Sequence, residues 1–129
     1  MKRMFEMKED GFKCIHEHGE LPISGNNEEG FRPIELFLSS VAGCSGGVLR
    51  AILKKKRLDI EHIQICTEAI REEEVPKKIT SIHMTFVVRG NNLSEKVLQK
   101  ALAVAMKNCS MVQSIKESIQ ITEEIKFLL

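Results

Sequence analysis

The stretch that decides the fold is residues 33–57, PIELFLSSVAGCSGGVLRAILKKKR. Proline is favoured in the first helical turn because the N–H that it lacks would be unpaired there, and Glu35 suits the positive end of the helix dipole. The basic run 54–57 suits the opposite end. We therefore predict one long helix from Pro33 to about Arg57. It is apolar nearly all round, which is typical of a helix at the buried centre of a soluble fold.

The apolar part of this helix, residues 36–53, is the one candidate for a membrane span. It is near the minimum length for crossing a bilayer, but it contains Arg50, three Ser and three Gly. A charged side chain inside a bilayer is costly. We reject the span and expect no membrane partner.

Two short strands are predicted before the helix, at residues 2–7 and 12–18. They flank Asp10-Gly11, and a Gly after Asp permits the positive φ of a hairpin turn. Residues 24–31 contain two Gly and have no apolar periodicity. We predict a loop there, leading into the helix.

Longer strands are predicted after the helix. Alternating apolar residues and frequent β-branched side chains indicate strands at residues 60–71 and 79–89, joined by the polar turn 72–78. Ile82, Met84, Phe86 and Val88 share one face of the second strand. The tail, residues 119–127, alternates in the same way and predicts a last strand.

A second helix is predicted to end at about Asn108. Asn92, with Glu95 three residues later, resembles a capping box, and the apolar residues that follow recur at helical spacing. A short helical stretch is predicted at residues 111–117. The order of strands, long helix, two strands, helix and strand predicts an α+β fold, in which an antiparallel sheet carries the helices and the long central helix contains Cys44.

Size and charge limit the partners. A chain of 129 residues has the usual size of one domain, so we predict a single domain of residues 1–129. A net charge of +1 provides no field that attracts a polyanion, and the chain has no Trp or Tyr for base stacking, so we expect no nucleic acid. The first ten residues are charged and lack the apolar segment of a secretion signal, which predicts a cytoplasmic protein.

Four cysteines, at positions 14, 44, 66 and 109, would be reduced in that compartment. No CxxC is present, which excludes zinc-ribbon and thioredoxin-type sites. Cys14, His16 and His18 alternate along a predicted strand and could together bind a metal, but a solvated strand face is the commoner meaning of this pattern. We assign no metal. Cys66 is expected to face the core as a small apolar group.

Three glycines surround Cys44 in the predicted helix: Gly43, Gly46 and Gly47. Each costs about 1 kcal/mol relative to Ala in a helix interior, so the cluster needs a reason. Close packing of another backbone is the commoner reason. The alternative is that small residues leave room for a substrate beside the sulfur.

Two segments of the chain resemble one known family. Residues 32–45, RPIELFLSSVAGCS, resemble the P-x-E-L…(A/G)-G-C-(S/T) helix of the OsmC-like proteins, the family of osmotically inducible protein C and the organic hydroperoxide resistance proteins. Residues 90–93, GNNL, followed by a helix and by residues 107–110, KNCS, resemble the family's G-x-x-L…C-(P/S) segment. The resemblance extends in order and spacing from Phe12 onward, and it points to a less characterised subgroup.

The resemblance implies an intertwined homodimer with the long helices at its centre and a stress-response thiol peroxidase. Cys44 would attack the O–O bond of an organic hydroperoxide, and Cys109 would resolve the sulfenic acid as a disulfide, which a small dithiol or a lipoyl group would reduce. Such chemistry needs a low-pKa thiol and a resolving thiol, with no cofactor. It also requires Cα atoms within about 7 Å of each other.

The resemblance also makes Glu35 a candidate catalytic carboxylate. Peroxidases of the family pair the sulfur with an Arg, held by a Glu directly after the helix Pro; here that position is Ile34, and Glu35 follows one place later. Nine residues of helix span about 13 Å, so Glu35 could serve Cys44 only from across the dimer, and the same holds for Arg32. The alternative for Glu35 is a favourable first-turn charge.

A second class of function stays open. An OsmC-like dimer could bind a small ligand or sense redox state without turnover, and Ile34 favours that alternative.

Overall fold

The structure is a computed structural model that describes residues 1–128. The chain forms two compact units, Met1–Ser39 and the part from Ser40 onward. Each unit contains its own three-stranded sheet. That residues 1–129 behave as one domain stays a prediction.

The first unit contains an antiparallel sheet in the order β1-β2-β3, with β1 Glu6–Met7, β2 Phe12–Ile15 and β3 Glu20–Ile23. Gly11 has a φ of 81°, as predicted for the first turn. The prediction that the second strand reaches residue 18 is wrong. The backbone of His16 exchanges hydrogen bonds with that of Gly19, so the chain reverses there and β3, which was not predicted, pairs with β2.

The long helix, α1, covers Pro33–Lys55, close to the predicted bounds. Its buried residues recur every four positions, at Val41, Ser45, Leu49 and Leu53. They form one stripe, because side chains four residues apart lie on the same helix face. Within one chain, α1 therefore buries a stripe and leaves the rest of its apolar surface partly or fully exposed.

The second unit contains the sheet β4-β5-β6, with β4 Asp59–Arg71, β5 Ile79–Asn91 and β6 Gln120–Leu128. β4 and β5 pair in antiparallel fashion, as predicted. The antiparallel prediction is wrong for β6, which runs parallel to β5. A parallel partner needs a crossover connection, and the helices between β5 and β6 provide it.

The core of this unit lies along β5. Its predicted inward residues, Ile82, Met84, Phe86 and Val88, are all fully buried. Helices α2 Glu95–Asn108 and α3 Ser110–Ile115 follow β5 in the chain. The capping residue of α2 is Ser94, which accepts a hydrogen bond from the Val97 N–H, and not Asn92 as predicted. Two sheets with a long helix confirm the predicted α+β class.

Candidate functional site

Two Cys-Ser pairs meet within the second unit. Cys44 and Ser45 lie in the middle of α1. Cys109 and Ser110 lie at the junction of α2 and α3, where Cys109 is at once the C-cap of α2 and the N-cap of α3. The extended backbone of Cys109, with φ −83° and ψ 111°, separates the two helices.

The two pairs contact each other crosswise. The Cys44 sulfur lies 3.6 Å from the Ser110 hydroxyl oxygen. The Cys109 sulfur lies 3.2 Å from the Ser45 hydroxyl oxygen. Each cysteine is therefore hydrogen-bonded to the serine that follows the other cysteine in the sequence.

The two sulfurs differ in access to solvent. Cys109 and Ser45 have no exposed surface, whereas Cys44 is partly exposed. A solute can thus reach Cys44 first.

Hydrogen bonds activate the exposed thiol. The pKa of Cys44 is lowered from its ordinary value of 9.0, first by the backbone N–H of Met111 and then by the Ser110 hydroxyl and the Cys109 thiol. Burial opposes them with a smaller effect, and the Ser110 N–H adds the smallest lowering. Each donor favours the thiolate over the thiol. Among the described residues, no positive charge contributes. The site therefore favours the thiolate of Cys44, the reactive form of cysteine, and a second thiol, Cys109, is among its hydrogen-bond donors.

The third candidate, Glu35, lies in the first unit. It is exposed and its carboxylate binds the Arg32 guanidinium. This pairing, in the first turn of α1, agrees with a favourable charge at the helix N-terminus. A catalytic role for Glu35 stays a prediction.

Outside the crossed pairs, two expectations fail. Cys66 is exposed, because Ile63 and Ile65 of β4 point to the opposite face of the sheet. The alternating face of Cys14, His16 and His18 does not form, since β2 ends at Ile15 and Cys14 is buried. In residues 1–128, no three His, Cys, Asp or Glu side chains are placed to hold a metal.

Sequence reasoning assigned no role to Ser45, to Ser110 or to the Met111 N–H. The signal that could have revealed the two serines is the dipeptide Cys-Ser, which occurs at both cysteines of the site. The Met111 N–H carries no signal in the sequence, because its direction depends on the turn between α2 and α3.

A wide groove lies between α1 and β4 in the same unit, with a volume of about 1000 Å³. Its α1 side includes the three glycines beside Cys44. A Cβ at Gly46 would lie 2.6 Å from the Ile65 Cδ1, but a Cβ at Gly43 or Gly47 would meet no atom within 4 Å. Packing against Ile65 within the chain therefore explains why position 46 is a glycine. It does not explain the glycines at positions 43 and 47.

Comparison with known proteins places these features in a family. A family model described as "OsmC-like protein" matches residues 25–124. Protein YhfA of Escherichia coli strain K12 is 29% identical over 105 residues, which cover 80% of this chain and 78% of YhfA.

Solved structures share the fold along nearly the whole chain. A hypothetical protein from Aquifex aeolicus VF5 has 30% identity and a TM-score of 0.85, with coverage of 99% of this chain and 97% of the other. The organic hydroperoxide resistance protein OhrB of Bacillus subtilis has 19% identity and a TM-score of 0.67, with 98% of each chain covered. The likeness to OhrB is one of fold alone. In the described residues, α1 is the one helix long and apolar enough to cross a membrane, and in this fold it is a core helix.

Proposed function

We propose that this chain, which belongs to the OsmC-like protein family, reduces organic hydroperoxides with Cys44 as the attacking thiolate and Cys109 as the resolving thiol. The observation that carries the proposal is the crossed pair of Cys-Ser contacts, which places a partly exposed Cys44, whose pKa is lowered, beside a fully buried Cys109. A peroxide-reducing cysteine needs both features, since it must meet its substrate and then find a second thiol.

In the first step, the Cys44 thiolate attacks one oxygen of the hydroperoxide. The O–O bond breaks, Cys44 becomes a sulfenic acid, and the remaining oxygen leaves as an alkoxide that takes up a proton to give an alcohol. The donors that stabilise the thiolate in the free protein are the Met111 N–H and the Ser110 hydroxyl. Only the thiolate reacts at a useful rate, so its population at neutral pH sets the rate of this step.

In the second step, Cys109 attacks the Cys44 sulfur. A disulfide forms, and the sulfenic hydroxyl leaves with the proton of Cys109 as water. A small dithiol or a lipoyl group then reduces the disulfide by thiol exchange, which returns both cysteines to their thiol forms. No cofactor takes part. Such a protein would act in the cytoplasm, where reduced dithiols are available, as part of a stress response.

We further propose that the groove between α1 and β4 is covered by a second copy of the chain. Gly43 and Gly47 support this, because each costs about 1 kcal/mol in a helix and their own chain gives them no close neighbour. The exposed apolar surface of α1 supports it too, since a core helix should be covered on most sides. Family membership agrees with a homodimer, across which Glu35 and Arg32 could serve the site.

Gly47→Lys is expected to convert such a dimer into a monomer. The single chain has open space for the new side chain, but a closely packed partner has none. Light scattering after size exclusion should give twice the 14.6 kDa of one chain for wild type and one chain for the variant. Ala103→Lys, on an exposed position of α2, adds the same charge and should remain dimeric. A dimeric Gly47→Lys would place the interface elsewhere.

One observation favours the rival function, a dimer that binds a small ligand or senses redox state without turnover. The groups that lower the pKa of Cys44 are all hydrogen-bond donors, and no cation of the described residues contributes. Peroxide reduction gains from a positive charge that stabilises the departing alkoxide. Without such a positive charge, Cys44 could be oxidised once by each exposure to peroxide, as in a redox sensor, and would not turn over rapidly.

The experiment that separates the two functions is peptide-mapped mass spectrometry combined with turnover. Reduced protein should form a disulfide between Cys44 and Cys109 rapidly after one equivalent of cumene hydroperoxide, and more slowly with hydrogen peroxide. It should then consume further hydroperoxide when a dithiol is supplied. Disulfide formation without turnover would support the redox sensor. Slow oxidation of all four cysteines alike would exclude both redox functions.

A further inference from the structure

We propose that Ser45 drives the second half of the reaction by donating a hydrogen bond to the Cys109 sulfur while that sulfur attacks Cys44. The inference rests on the proposed resolving role of Cys109. Ser45 would stabilise negative charge on the Cys109 sulfur, as the Ser110 hydroxyl does on the Cys44 sulfur.

Ser45 is placed for one partner only. Its side chain has no exposed surface, and its hydroxyl lies 3.2 Å from the Cys109 sulfur. Within residues 1–128, the Ser45 hydroxyl has no other hydrogen-bond partner, and no buried side-chain nitrogen or oxygen is left unpaired. If Cys109 moved away, the Ser45 hydroxyl would be buried without a hydrogen bond. Such an unpaired buried group destabilises the folded state, because in the unfolded chain water would bond to it.

The direction of this hydrogen bond is set when Cys109 reacts. The Ser45 hydroxyl and the Cys109 thiol lie 3.2 Å apart, and in the resting protein either of them can donate. As Cys109 loses its proton, its sulfur can act only as an acceptor. Ser45 is then the donor and Cys109 the acceptor.

This arrangement suits the resolving step. Once Cys44 carries a hydroxyl, Cys109 must lose its proton as its sulfur attacks, and that proton leaves with the hydroxyl as water. Negative charge develops on a sulfur that has no access to solvent. The Ser45 hydroxyl oxygen lies 3.2 Å from that sulfur, so it can stabilise the charge without moving its side chain, which is the condition for effective electrostatic catalysis.

Ser45→Ala tests the inference with a small change, because alanine fits the same space and keeps the helix. The assay bypasses peroxide. In a Cys66→Ser background, Cys44 is the one cysteine that is not buried. An aromatic disulfide, dithiobis(nitrobenzoate), should load it and release one nitrothiobenzoate. Attack by Cys109 then closes the Cys44–Cys109 disulfide and releases a second nitrothiobenzoate. The absorbance of the two released molecules gives the rates of the loading step and of the closure step.

The expected result is that Ser45→Ala loads at the wild-type rate but releases the second nitrothiobenzoate about ten- to hundredfold more slowly, the range for a lost hydrogen bond to a charged group. Its closure rate should also reach half of its maximum at a higher pH than in wild type. Ser110→Ala removes the matching hydroxyl beside the other sulfur and should slow the loading step instead. Thermal unfolding checks that both variants fold.

Closure of Ser45→Ala at the wild-type rate would overturn the inference. So would equal slowing of loading and closure with an unchanged pH profile, which would mean that Ser45 only supports the structure. A wild type that never releases the second nitrothiobenzoate would overturn both this inference and the resolving role of Cys109. Slow closure in Ser45→Ala, together with a wild type that cumene hydroperoxide leaves reduced, would uphold the inference and exclude the peroxidase.

Discussion

Cys44→Ser is expected to abolish hydroperoxide reduction, with a loss of roughly a thousandfold or more in dithiol-dependent turnover. Serine has the shape of cysteine, but its hydroxyl remains protonated at neutral pH and is a poor nucleophile toward oxygen. The donors around position 44 favour a thiolate, and the hydroxyl of serine gives them no anion to stabilise. The measurement is the consumption of cumene hydroperoxide with a dithiol in excess.

Cys66→Ser is the matched control for this substitution. It makes the same chemical change at an exposed position of β4, outside the crossed Cys-Ser pairs. Its turnover should equal that of wild type. If Cys44→Ser retained turnover, or if Cys66→Ser lost as much of it, the activity would not depend on Cys44 and the proposed mechanism would be wrong.

Ile82→Ala is expected to lower the free energy of unfolding by about 2–5 kcal/mol. Ile82 has no exposed surface and lies on the inward face of β5, the central strand of its sheet. Its truncation removes buried apolar surface and leaves a cavity that the neighbouring strands cannot fully close. The midpoint of urea unfolding, measured at one fixed protein concentration, should fall while the slope stays the same.

Ile70→Ala provides the comparison. Ile70 lies in β4 of the same sheet, beside the register partner of Ile82, but 64% of its surface is exposed. The two substitutions change the same residue type in one sheet, so the comparison contrasts a buried isoleucine with an exposed one. We expect a loss of less than about 1 kcal/mol at Ile70. Equal losses at both positions would mean that the inward face of β5 is not the core of this unit.

The pattern of apolar residues was sufficient for most of the secondary structure. The buried face of β5 was predicted residue by residue, because successive side chains of a strand point to opposite faces and most of the apolar residues of β5 fall on one of them. The helix α1 was predicted within two residues of its end, because Pro33 and the basic run are local signals. The two segments around Cys44 and Cys109 also identified the family that the comparison confirms.

Pairing between distant segments was beyond the reach of local patterns. The parallel direction of β6 depends on the crossover through α2 and α3, and an alternating strand looks the same whichever way it runs. Cys66 was assigned to the core because of its residue type, yet Ile63 and Ile65, which precede it in the strand, lie on the opposite, inward face. For β6, tertiary structure decided between two strand directions that the sequence leaves equal. For Cys66, the alternation along β4 was the local signal, and it outweighed the apolar character of the residue.

By itself, the sequence determined which two thiols are the candidates for chemistry, since only Cys44 and Cys109 lie in motifs that resemble those of the OsmC-like family. Only the tertiary structure decided how the two are arranged. It joined residues more than sixty positions apart into crossed pairs, buried one sulfur and left the other partly exposed. The physical reason is that a hydrogen bond needs a distance and a direction, and both are set by the packing of α1 against the junction of α2 and α3.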